Sequence, residues 1–298
     1  MDRNRSRLNA RAVWFTETGA VRAPWRILIF LAATYCCGLA ASLFLGPVIA
    51  WLYSLVGLRV TTDGWIIVAA LLGGHFIALR LIDKRPWSDV WLDRDAARPA
   101  LLTRGFLLGA VAIAMPTLLL MAVGWMRLQT AADAPLVGAT LRVSLLLLPA
   151  AFYEELATRG YLFAVLRDAL GWRTALLTMS IVFGFLHLRN PGASVESVTL
   201  VILAGVFLGG VVIATKSLYA AWMAHFAWNW TMAVVFHTAV SGLPLESPDY
   251  RLIETGPDWI TGGVWGPEGG VAGGLGMLGA LVYLYARRNA RRRQITNE

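Results

Sequence analysis

Two adjacent glutamates, an arginine, two histidines and an asparagine lie inside otherwise apolar runs of this 298-residue chain. They fall in three segments: Phe152-Tyr153-Glu154-Glu155-Leu156-Ala157-Thr158-Arg159-Gly160, then Phe183-Gly184-Phe185-Leu186-His187, then His225-Phe226-Ala227-Trp228-Asn229. Ionisable side chains within the apolar core of a bilayer are costly and mark ion pathways, proton relays or catalytic sites. Carboxylates and imidazoles together are the parts of a general acid–base centre, and an amide adds a donor for developing negative charge.

Spacing assigns these residues different tasks. Glu155 and Arg159 stand at i and i+4 with the acid N-terminal, the favourable order for a helical ion pair. Glu154 meets Ala157 and Thr158 at i+3 and i+4, so it has no partner on its own helix. It points about 100° away from Glu155 and is left available as a base. The competing reading makes both acids members of a buried network around Arg159. His187 shares a face with Phe183 and precedes Asn190-Pro191. A lone histidine on an apolar helix is ordinarily a satisfied packing residue. His225 and Asn229, again at i and i+4, share one face. Such a pair either binds one ligand atom or bonds across helices.

Taken together, Glu-Glu-x-x-x-Arg, Phe-x-x-x-His and His-x-x-x-Asn, in that order on separate apolar runs, resemble the CPBP family of intramembrane proteases. That family includes the type II CAAX prenyl endopeptidases and the bacterial Abi proteins. The resemblance covers roughly residues 141–240. It implies a bundle of about eight helices that hydrolyses a peptide bond within the membrane. Carried over to this chain, Glu154 and His187 activate a water, and His225 and Asn229 stabilise the oxyanion. Glu155, Arg159 and Phe183 support them. The resemblance also implies an alternative, a zinc site of Glu154, His187 and His225. No His-Glu-x-x-His pair stands on one helix, and the metal-free route is the expectation. One difficulty is depth. His187 lies about 20 Å along its helix from the inner end and His225 about 10 Å along its own, yet one site requires them to meet.

The elements that must carry these residues are helices. Hydrophobic residues make up 57% of the chain and charged residues 15%, against about 25% charged in a soluble domain. Only helices and closed barrels satisfy every backbone group in lipid, and no run alternates like a barrel strand. The expected fold class is therefore all-α, a polytopic transmembrane bundle of about eight spans. Helices are expected near Trp25–Ala50, Trp65–Ile82, Leu102–Met126, Leu141–Ala157, Arg173–Leu188, Val198–Ala214, Leu218–Val240 and Val271–Tyr285. The first has a candidate break near Pro47. The fourth is expected to continue as an amphipathic extension to Leu170, with Gly171 as its stop.

Five parts follow: a basic N-terminal segment (1–24), N-terminal spans (25–140), the chemistry-bearing core (141–240), an outer loop (241–270) and a last span with a basic tail (271–298). With the N-terminus inside, twenty of the 26 basic residues fall on the inner side. They include Arg3, Arg5, Arg7 and Arg11 at the start and Arg291, Arg292 and Arg293 at the end. Positive-inside bias then places both termini in the cytoplasm of a bacterial inner membrane. The same placement explains the net charge of +8 without nucleic acid, for which aromatic–basic interleaving is missing. The expected partners are a peptide or membrane-protein substrate and the bilayer.

The outer loop is acidic (Glu246, Asp249, Glu254, Asp258, Glu268) and rich in Gly and Pro, so irregular structure and a partial lid are expected. Cys36 and Cys37 read as apolar fillers. His75, between small residues, reads as a helix-contact histidine, and His237 as interfacial. Gly205 and Gly209 spell a close-packing motif, and the many tryptophans near span ends read as interface anchors. The rival functions are a proton-coupled transporter, disfavoured by the absence of internal repeats, and a non-catalytic immunity or scaffold protein.

Overall fold

The computed structural model describes residues 13–130, 136–245 and 250–296, the last six without side chains. The basic residues Arg3, Arg5, Arg7 and Arg11, the loop acids Glu246 and Asp249, and the side chains of Arg291, Arg292 and Arg293 lie outside the description.

Nine helices account for most of the described chain: α1 Ala23–Leu55, α2 Asp63–His75, α3 Pro99–Ala122, α4 Leu136–Arg159, α5 Tyr161–Leu170, α6 Trp172–Leu186, α7 Val195–Thr215, α8 Leu218–Trp230 and α9 Val271–Thr296. A single helical turn, Asp258–Thr261, adds to these. Proline opens α1 and α3, where its missing N–H is harmless. Ser194 caps α7 in a capping box with Ser197, and Ser217 caps α8 by accepting the Ala220 N–H. α2 and α8 both end in π turns, over Phe76–Ile82 and Thr231–Val235.

Each of the eight expected helices is present. Five segments are long and apolar enough to cross a membrane: Ala23–Leu55, Asp63–Ile82, Pro99–Ala122, Leu136–Leu170 and Val195–Thr215. Trp172–Leu186 is apolar but shorter. α1 runs through Pro47, the candidate break, without interruption. The extension of α4 is a separate helix, because the chain leaves helical geometry at Gly160 (φ −85°, ψ −128°) before α5 begins. α8 and its π turn stop at Val235, short of the expected Val240, and His237 follows with φ +49°.

The connections expected on the outer side also depart from expectation. β1 Met126–Thr130 pairs antiparallel with β2 Tyr250–Glu254, Met126 opposite Glu254 and Thr130 opposite Tyr250. The third span thus ends at Ala122 rather than Met126, and the long outer loop is pinned by a two-stranded ladder. Met126-Arg127-Leu128-Gln129 does alternate apolar and polar, but over far fewer residues than the roughly ten of a membrane-spanning barrel strand.

The main core gathers α3, α4, α6, α7, α8 and α9 around residues such as Ile113, Leu147, Phe183, Phe207, Val211 and Trp228. A second core packs α1, α2, α4 and α5 around Phe30, Leu79, Leu156 and Tyr161. Glycine lets helices approach closely behind the site. A Cβ at Gly105 or Gly109 of α3 would collide with the carbonyls of Ala220 and Ala224 in α8. A Cβ at Gly205 of α7 would lie 2.8 Å from the Ser180 Cα of α6.

Candidate active site

Glu154 and Glu155 sit on the last full turn of α4. Glu155 is fully buried, and its Oε1 accepts from Arg159 Nη1 at 2.9 Å and from His225 Nδ1 at 2.9 Å. Arg159, equally buried, also donates to the Thr158 hydroxyl at 2.8 Å and to the Gly205 carbonyl at 3.0 Å. Its guanidinium lies 4.4 Å from the centre of the Phe183 ring. The Glu155–Arg159 pair is thereby tied to α6, α7 and α8 at once.

Glu154 faces elsewhere. Its side chain is 24% exposed, while its Oε2 is buried and accepts no hydrogen bond. His187 Nε2 lies 3.9 Å from that oxygen and His225 Nε2 3.7 Å. Both separations are too long for a direct hydrogen bond and suit one small atom bridging them.

The other ring nitrogens settle the tautomers. His187 Nδ1 is 2.8 Å from the Phe183 carbonyl, and His225 Nδ1 meets the Glu155 carboxylate. Both partners only accept, so each Nδ1 carries the hydrogen. In the neutral rings both Nε2 lone pairs then point toward Glu154. Phe183 buttresses the cluster, its ring centre 4.9 Å from that of His187 and 5.8 Å from that of His225.

His187 is the C-cap of α6, and its ring folds back over the preceding turn to reach the Phe183 carbonyl. The two histidines do meet: both Nε2 atoms lie within 4 Å of the same Glu154 oxygen. Asn229, half-buried one turn beyond His225, lines a small chamber of about 30 Å³ with Phe183, His187, His225, Ser241 and Glu268.

Among the described residues no group of three or more His, Cys, Asp or Glu, Glu154, His187 and His225 included, stands in ready metal-ligand geometry. No step below is routed through a metal.

Two contributors escape the motif. Glu268, read above only as a loop acid, is buried and accepts from the Trp228 indole N–H. The tight Gly266-Pro267-Glu268-Gly269-Gly270 run around it is the one sequence signal that could have singled it out. His75, read as a packing residue, accepts the Tyr161 N–H at 2.9 Å and donates to the Leu71 carbonyl at 2.7 Å. It satisfies the first N–H of α5 at the Gly160 break, and its ring occupies the space a Cβ at Gly160 would need. His237 stacks edge-on against Tyr250, away from the site.

Residues 136–231 match the family model described as type II CAAX prenyl endopeptidase Rce1-like. The match covers about a third of the chain, from α4 to the start of the second π turn, and contains every residue of the three motifs. No curated protein and no solved structure gives a significant match.

Proposed function

We propose, from the premise that residues 136–231 form a type II CAAX prenyl endopeptidase-like domain, that this chain hydrolyses a peptide bond within the membrane using a water activated by Glu154 and His187. The observation that carries the reading is the buried, unbonded Glu154 Oε2 with two imidazole Nε2 atoms 3.7 and 3.9 Å away. A water there gives one proton to Glu154 and its other hydrogen bond to His187 Nε2. Its oxygen attacks the scissile carbonyl carbon, and the carbonyl electrons move to oxygen. Asn229 and His225 donate to that oxyanion. His225 donates from Nε2 only when doubly protonated, with its Nδ1–H held on Glu155. As the tetrahedral adduct collapses, the C–N bond breaks and Glu154 returns its proton to the leaving amine. Glu155, Arg159 and Phe183 hold the two histidines in place.

We take the metal-free route on the hydrogen-bond geometry just given. About eight spans, both termini in the cytoplasm and a bacterial inner membrane are the organisation we assign, on the helix pattern and the charge asymmetry. The substrate class is an extended peptide or lipid-modified C-terminus of a membrane protein, with no nucleic acid.

The test is a cleavage assay on purified protein in lipid nanodiscs with a peptide library. Glu154→Gln is expected to lower kcat by about 10²–10⁴, the usual worth of a general base. Activity of the wild type is expected to survive a strong chelator. Full activity in Glu154→Gln, or chelator-sensitive activity restored by zinc, would sink the mechanism.

A further inference from the structure

Glu268 belongs to the turn Pro267–Gly269 of the outer segment, yet its carboxylate reaches in among the helices. Its Oε2 accepts from Trp228 Nε1 at 2.8 Å. Its Oε1 accepts from the Ser241 backbone N–H at 2.6 Å and from the Ser241 hydroxyl at 2.7 Å. The Ser241 carbonyl accepts from Asn190 Nδ2 at 3.0 Å, and the Asn190 backbone N–H donates to the His187 carbonyl at 3.0 Å.

One carboxylate therefore holds both halves of the candidate site. On one side is Trp228, in the α8 turn that carries His225 and Asn229. On the other is a three-link chain, through Ser241 and Asn190, that ends at the His187 carbonyl. Glu268 and Ser241 also share the chamber lined by those three residues. The backbone that presents Glu268 is fixed as well: Gly266 has φ +93°, and a Cβ there would meet the Ala239 carbonyl. A loop is sufficiently pinned by the β1–β2 ladder. Three donors converging on one buried carboxylate exceed that need, since a buried carboxylate is costly unless fully bonded.

We propose that Glu268 is a positioning residue for the reaction, which sets from the outer segment the spacing between His187 and the His225–Asn229 pair. This rests on reading the site as a peptidase. Glu268 acts through Trp228 and Ser241, so its loss is expected in turnover rather than in substrate binding.

The experiment compares steady-state kinetics and thermal midpoints of wild type, Glu154→Gln, Glu268→Gln, Ser241→Ala and Glu254→Gln in nanodiscs, on a peptide the wild type cleaves. Glu268→Gln keeps the size of the side chain and one acceptor oxygen. It is expected to lose about 10- to 100-fold in kcat, the scale of a misplaced catalytic group, with KM nearly unchanged. Ser241→Ala removes one link and leaves the backbone one, so a smaller loss in the same direction is expected. It stands in for Glu268→Gln if that variant does not fold. Glu254→Gln, in the same outer segment but bonded to Thr261, is expected to retain kcat and KM. Wild-type kcat in folded Glu268→Gln and in Ser241→Ala overturns the proposal and leaves the peptidase reading intact. So does a loss seen in KM alone, or one that Glu254→Gln shares along with a lowered thermal midpoint. If the wild type cleaves no peptide of the library, or Glu154→Gln cleaves as fast as wild type, the peptidase reading falls and the proposal falls with it.

Discussion

Arg159 donates to Glu155, to the Thr158 hydroxyl and to the Gly205 carbonyl while its face lies on the Phe183 ring. Both it and Glu155 are buried. Removing one charge of such a pair leaves the other unpaired, which costs about 3–5 kcal/mol. Arg159→Met is accordingly expected to lower the thermal midpoint sharply. The double variant Glu155→Met/Arg159→Met is expected to recover part of the loss, as a thermal-shift double-mutant cycle would measure. Additive losses would mean that the pair is not the reason. At this scale the i, i+4 rule was enough to link Glu155 with Arg159 from sequence, because the relation is local. That Glu155 also holds His225 was not legible, since the two are 70 residues apart and no periodicity relates them. Glu268 was hidden for the same reason. It arrives from a turn, where neither helical nor strand spacing assigns a side chain to a face.

Among the elements, α3 and α8 press together behind His225. Gly105 and Gly109, a turn apart on α3, sit against the carbonyls of Ala220 and Ala224. A methyl group at 109 must push α8 away, and Ala224 immediately precedes His225. Gly109→Ala is expected to cost about 1–3 kcal/mol in stability from overpacking and about 10²-fold in kcat from displacement of the histidine. Gly279→Ala, whose added Cβ meets nothing within 4 Å, is the matched control. Equal activity in the two variants would show that α8 tolerates the shift. Hydropathy located all eight expected helices, because long apolar runs are the strongest signal a sequence carries. It overlooked the Gly160 break, where apolar patterning continues unbroken into α5 and only the His75 side chain, 86 residues away, supplies the missing hydrogen bond. The sequence-level motif Gly205-xxx-Gly209 was recognised, whereas Gly105-xxx-Gly109, of the same form, was passed over. Spacing alone does not say which small residues face another backbone.

For the molecule as a whole, the outer segment is held by β1–β2, by Glu268 and by the contact of Glu254 with Thr261. Burial pushes the Glu254 carboxyl up to about 7 from its ordinary 4.5, and nearby Asp258 adds to the rise against the lowering effect of the Thr261 hydroxyl. The folded form therefore keeps a proton that the unfolded segment releases near 4.5. Its contribution to stability is complete below that value and declines as pH rises through the interval up to about 7. Hydrogen-exchange protection across residues 250–262, taken relative to the base-catalysed intrinsic rate at each pH, is expected to be greater at pH 5 than at pH 8, with Glu254→Gln flattening the difference. A wild-type profile independent of pH over that range would contradict the linkage. The basic residues suggested a division between inner and outer sides, because the cost of burying them in lipid confines them to the connections; that division stays part of the proposal. The strand ladder that organises the outer segment was not legible, because its two short halves are more than a hundred residues apart.

The chamber beside the two imidazoles, at about 30 Å³, has room for about one water molecule. No stretch of polypeptide fits there. Glu154 is the member of the cluster with an open flank, so a chain approaching the histidines would lie along that flank and offer the chamber no more than an oxygen. On the proposed peptidase reading, such a slit would rank clients by slackness before it reads their side chains: a tightly wound helix keeps its carbonyls to itself, and a frayed one surrenders them.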